Sequence, residues 1–106
     1  MHGELQAILA ELRHHFAQVY GPRLVHLMLF GSQARGDAEP GSDIDVLVVL
    51  DGPVSTAREA LCALDLRTSL SLQHNTVVSC TFVSAQQYQR EQSPLLLNIR
   101  REGVAI

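Results

Sequence analysis

The chain of 106 residues contains no lysine: all eight of its cationic side chains are arginine, set against 11 Asp and Glu. That absence excludes chemistry built on an ε-amino group, including a Walker A phosphate loop, a kinase strand lysine, a Schiff base and a lysyl-adenylate. Cysteine is scarce as well. Cys62 and Cys80 have no CxxC spacing and are too few for a disulfide scaffold, so they read as two buried thiols in a reducing cytosol. Long apolar runs are also missing; the longest uninterrupted one, Val46 to Leu50, is far shorter than a bilayer requires. Glu4 and Glu11 break the apolar pattern between Met1 and Tyr20, which excludes a signal-peptide reading. There is no basic excess either. The formal charge of −3 argues against indiscriminate nucleic-acid binding through a basic face. What is there, 46% hydrophobic and 18% charged residues, predicts a soluble cytoplasmic protein folded as one domain over residues 1–106.

Leu5, Ile8, Leu9, Leu12, Phe16 and Val19 recur at helical spacing and predict a first helix, ended by Gly21-Pro22. His14 and His15 lie off that stripe and read as a solvated face. Leu24 to Phe30 is an apolar run of strand length, with His26 as an edge or satisfied core histidine. A polar, glycine-containing stretch, Gly31 to Ser42, leads into a second strand, Asp43 to Leu50, closed by an Asp51-Gly52-Pro53 turn. A second helix begins near Ser55 or Thr56, where Thr56 and Glu59 have capping-box spacing. Ala57, Leu61, Leu64, Thr68 and Leu72 line one of its sides. Thr76 to Val83 predicts a third strand. Ser93-Pro94 opens a short helix running to Gly103, with Val104 to Ile106 as a possible terminal strand. The order α-β-loop-β-α-β-α predicts an α+β, two-layer fold: a small mixed sheet with helices packed on one face.

The chemistry concentrates around the second strand. Asp43 and Asp45, two apart on a strand, project to the same face, where two close anions call for a cation between them. A hard divalent ion held by carboxylate oxygens meets that need, and Mg²⁺ carrying a triphosphate suits a pair of aspartates. Taken alone, the pair also fits a strand start at which both acids face water. The preceding loop adds Gly31-Ser32 directly after a buried strand. There a glycine lets phosphate approach the backbone, and a following helical turn offers N–H groups to an anion. Arg35 adds a permanent cation suited to phosphate, or else a surface pair with Asp37 or Glu39.

The string Gly31-Ser32-x-x-Arg35-Gly36 … Ser42-Asp43-Ile44-Asp45 resembles the signature of the polymerase-beta-type nucleotidyltransferase superfamily, and more narrowly the minimal nucleotidyltransferases of prokaryotes. The resemblance implies that Gly31 and Ser32 cradle a nucleoside triphosphate, with Arg35 and Ser42 beside it. It implies that Asp43 and Asp45 hold Mg²⁺, and that a hydroxyl attacks the α-phosphorus as pyrophosphate leaves. One feature departs from the family: the third strand carries no acid on either face, where a third carboxylate normally completes the metal site. Asp65, on the preceding helix, reads as a solvated residue. The resemblance further implies a small helical partner of the HEPN type, as in toxin–antitoxin pairs. It leaves two main functions, transfer of AMP from ATP to a partner's hydroxyl, or a catalytically weak module that masks the toxin; a nucleotide sensor is a third. Leu47 and Val49 extend the aspartate face of the second strand with apolar residues, so that face needs a cover: the third strand, the C-terminal helix, a partner chain or a second copy.

Overall fold

The computed structural model describes residues 2–38 and 42–106. Helix α1 (His2–Tyr20) leads through a 3₁₀ turn at Gly21–Arg23 into β1 (Leu24–Phe30) and a single helical turn, α2 (Ser32–Arg35). Then come β2 (Ile44–Leu50), α3 (Thr56–His74), β3 (Val78–Ser84), α4 (Ala85–Arg90), α5 (Pro94–Glu102) and β4 (Val104–Ala105). The sheet is mixed, in the order β3-β2-β1-β4. Strands β1 and β2 are antiparallel, whereas β2 and β3 run parallel because α3 carries the chain back across the sheet. The terminal strand β4 adds to β1 at Met28 and Leu29.

Central strand β2 explains its own sequence. Both of its faces are covered, so it reads as a continuous apolar run, and every residue from Val46 to Leu50 is fully buried. Ile44, Val46, Val48 and Leu50 pack against α1 and α3 through Ile8, Leu12, Phe16, Ala63 and Leu70. Leu47 and Val49 pack on the opposite face with Val83 of β3 and Leu96 and Ile99 of α5. The expected one-sided layer of helices therefore holds for the two long helices and fails for α5. Of the four covers open to that face, β3 and the C-terminal helix supply it.

Three details correct the sequence reading. Val19, at the end of the α1 stripe, is exposed; Tyr20, one helical turn after Phe16 in α1, is buried instead, stacked on Phe16. On α3 the stripe of Ala57, Leu61, Leu64, Thr68 and Leu72 faces solvent, and the buried residues are Glu59, Ala63 and Leu70. Polar anchors set that rotation. The Tyr20 hydroxyl donates to Glu59 Oε1 at 3.1 Å, and His74 Nδ1 meets Glu4 Oε1 at 3.1 Å, so both ends of α3 are tied to α1 by its inward side. Glu59 is thereby drawn away from a capping box with Thr56; the N-cap is Ser55. Burial, and then the charge of Glu59, push the Tyr20 hydroxyl well above the ordinary range of a phenol. Cys62 follows the same rotation and is exposed, contrary to the reading of two buried thiols, while Cys80 is half-buried.

The short α4 was not anticipated, although Ser84 and Gln87 carry its signal. Ser84 Oγ accepts from the Gln87 N–H at 3.1 Å and the Ser84 N–H donates to Gln87 Oε1 at 2.9 Å, a reciprocal capping box. Ser93 caps α5 as expected, accepting from the Leu96 N–H, with Pro94 in the first turn.

Candidate functional site

The end of the sheet formed by the last residue of β1 and the first residues of β2 and β3 brings the predicted residues together. Phe30 pairs with Asp45 across the antiparallel ladder, so the chain turns at Gly31 directly beside that aspartate. Gly31 has φ +78°, a region in which side chains are strained, and a Cβ there would lie 2.5 Å from Asp45 Oδ2. Glycine is required twice over: by the backbone turn, and by the closeness of the carboxylate. The Gly31 carbonyl then accepts from the Ala34 and Arg35 N–H groups at 3.1 Å, which closes α2. The first turn leaves the N–H groups of Ser32 and Gln33 outside that ladder. Gly36, in the left-handed region at φ +80°, ends the turn by donating to the Ser32 carbonyl.

Asp45 is half-buried and Asp43 exposed. Burial raises the Asp45 carboxyl above its ordinary range, the Asp43 charge raises it further, and Arg35 opposes both. Asp45, short of solvation, and exposed Asp43, just before the start of β2, form a hard oxygen donor set with negative charge to neutralise. The space beside Asp45 is one that any Cβ at residue 31 would fill. These residues fit a small divalent cation such as Mg²⁺. Among the described residues no group of three His, Cys, Asp or Glu side chains is placed to hold a metal.

Register shows what stands where a third acid would be. Ser79 of β3 is the partner of Asp45 and Thr81 the partner of Leu47, on the face shared with the aspartate. Val78, on the other face, is the partner of Ile44 and is buried in the main core. Asp65 is exposed on α3. Ser42 sits two residues before β2, its carbonyl accepting from Thr76 Oγ1 at 3.4 Å, a weak tie between the entries to β2 and β3.

Arg35 is exposed and bridged by two acids: its Nε lies 3.2 Å from Asp37 Oδ2, and its Nη1 lies 3.6 Å from Glu102 Oε2 at the end of α5. The Asp37 pair was foreseen; Glu39, the other candidate, lies outside the described residues. Glu102 was missed, because it reaches Arg35 from the far end of the chain and no local pattern announces it. His14 is exposed on α1, as a solvated face predicts; His26 is exposed on β1, its ring 5.5 Å from that of Tyr88; His15 is half-buried, its ring packed edge-on against Phe16.

The family model described as "Nucleotidyltransferase domain" matches residues 9–94, a span that contains α2, both aspartates and β3. Two proteins of Methanocaldococcus jannaschii are similar in sequence. "Putative protein adenylyltransferase MJ0141" is 29% identical over 76 residues, covering 72% of this chain and 76% of the relative. "Putative protein adenylyltransferase MJ0604" is 33% identical over 72 residues, 68% of this chain and 66% of the relative. Among solved structures, a toxin–antitoxin complex with AMP-PNP superposes with a TM-score of 0.60 at 19% identity, over 86% of this chain and 66% of that one. A tri-AMPylated Shewanella oneidensis HEPN toxin in complex with MNT antitoxin gives 0.56 at 18% identity, over 94% and 69%. This chain thus spans about two thirds of the length of the solved chains it matches, and at these identities they establish the shared fold. With the glycine-serine turn seated on a strand carboxylate pair, and with the family match running through both, the chain belongs to the nucleotidyltransferase domain family.

Proposed function

We propose that this chain acts in the cytoplasm as a nucleotidyltransferase that moves AMP from ATP to a hydroxyl of a partner protein, a small helical one of the HEPN type. The observation that carries this reading is the packing of Gly31 on Asp45, which sets the Gly31-Ser32 turn against that carboxylate. In this reading Gly31 and Ser32 bind the β- and γ-phosphates through backbone N–H groups and the Ser32 hydroxyl. Arg35, released from Asp37 or Glu102, offers its guanidinium to a phosphate oxygen. Asp43 and Asp45 would hold Mg²⁺, which would supply positive charge opposite the leaving pyrophosphate. The acceptor oxygen bonds to the α-phosphorus as the bond to the bridging oxygen breaks, and the hydroxyl proton passes to solvent or to a base on the partner. The names of the Methanocaldococcus relatives, and the AMPylated toxin in one structural neighbour, support AMP as the transferred group and a protein as its acceptor.

Ser79 in the place of an acid supports a second reading, a catalytically weak module whose task is to occupy the helical partner. One experiment separates the two. The protein and the small helical protein encoded beside it are incubated with ATP labelled in the adenine ring and Mg²⁺. Label on the partner supports the transferase; a stable complex that takes up no label supports the masking module; neither complex nor label contradicts both.

A further inference from the structure

Helix α3 is apolar on two sides. Its inward side packs Ala63, Leu66 and Leu70 into the core beside buried Glu59, while its solvent side carries Leu61 at 71% exposure, Leu64 at 47% and Leu72 at 81%. A surface leucine needs no explanation by itself. Ala57, Leu61, Leu64, Thr68 and Leu72, a row at spacings of four, three, four and four that the core does not use, form a continuous seam.

We propose that this seam is where a second copy of the chain docks, α3 against α3 in antiparallel orientation about a twofold axis. The argument for a second copy is charge complementarity. Ala57, Leu61, Leu64 and Thr68 occupy the alternating seam positions of a heptad, and charged Arg58 and Asp65 lie seven residues apart along one flank. Both are exposed, and neither makes an ion pair among the described residues. Reversing a second helix so that Leu61 meets Leu64 of the second copy also sets Ala57 against Thr68 of the second copy. In that register Arg58 of each copy stands beside Asp65 of the other, twice by symmetry. A twofold interface must be complementary to itself, and this flank meets that condition. The proposal goes beyond the transferase reading and does not depend on it, since Asp43 and Asp45 are on a different element.

The test is sedimentation of the purified chain over about a hundredfold range of concentration. The expected result is a concentration-dependent dimer. Leu61→Glu, which changes a solvent-exposed residue and leaves the helical circular dichroism intact, shifts the dimer to monomer. Arg58→Glu sets two acids against each other and weakens dimerisation about tenfold or more, and adding Asp65→Arg restores it because the swap preserves complementarity. A folded chain that stays monomeric throughout, a dimer indifferent to Leu61→Glu, or a charge swap that fails to restore it would each overturn the proposal. So would Leu61→Glu abolishing capture of the helical partner while self-association stays unchanged, which would assign the seam to that partner.

Discussion

At Gly31 two requirements meet on one Cα, a positive φ and a carboxylate oxygen where a Cβ would stand. Gly31→Ala therefore strains the backbone and displaces the Asp45 side chain. The expected loss is about 1–3 kcal/mol of folding free energy, from backbone strain of that order, together with loss of nucleotide-dependent stabilisation. Urea unfolding with and without Mg·ATP measures both; a variant as stable as the native chain and still responsive to Mg·ATP contradicts the assignment. The two cysteines give a prediction in pH. Cys62 is exposed, whereas burial pushes the Cys80 thiol up to about 11, with Arg67 opposing weakly. Iodoacetamide at pH 8 should modify Cys62 alone, with Cys80 following only as the pH approaches its raised value or on unfolding. Equal labelling of the two at pH 8, read by mass spectrometry of the peptides, contradicts the burial of Cys80. At this scale the site was largely legible, because Gly31, Ser32, Asp43 and Asp45 lie in one short stretch with strand periodicity on either side. Glu102 was not, since its contact with Arg35 exists only once α5 has folded back across the sheet.

Among the elements, β3 sets the chemistry and α3 shows where sequence reading stops. The alternation of β3 was readable, and register now ranks its two candidates. Ser79 is the partner of Asp45, while Thr81 lies two residues further along, beside Leu47. Ser79→Asp is expected to raise AMP transfer several-fold by supplying the absent acid, and Thr81→Asp to do so less. Val78→Asp places a charge in the core and should cost several kcal/mol, enough to unfold the chain. Transfer assays with the helical partner, beside circular dichroism of each variant, check this; fast native turnover that falls on Ser79→Asp contradicts it. On α3 the stripe was legible in the sequence, and the direction in which it points was not. Helical periodicity identifies which residues share a face, but which way the face points depends on tertiary ties, here Tyr20 to Glu59 and Glu4 to His74, 39 and 70 residues apart in sequence.

Over the whole molecule, sheet order turns a local motif into a site. Placing β2 between β1 and β3 brings the turn after β1, the start of β2 and the start of β3 to one end of the sheet. The α+β class was legible from the order of elements, and the mixed sheet followed from a helical crossover between β2 and β3. The C-terminal helix was one of four covers the sequence left open for the aspartate face, and its stripe could not choose among them, because the buried pair Leu96 and Ile99 stands among exposed Leu95 and Leu97. No described helix is long and apolar enough to cross a membrane. The central claim is that the turn and the carboxylate pair form one Mg-nucleotide site, and thermal unfolding tests it most directly. ATP with Mg²⁺ should raise the melting temperature of the native chain by mass action, and ATP without Mg²⁺ far less. Asp43→Asn/Asp45→Asn should fold at least as stably without ligand, because the burial of charge and the repulsion from Asp43 that raise the Asp45 carboxyl are both relieved, and should gain nothing from Mg·ATP. Equal stabilisation of the double variant and the native chain by Mg·ATP would contradict the account.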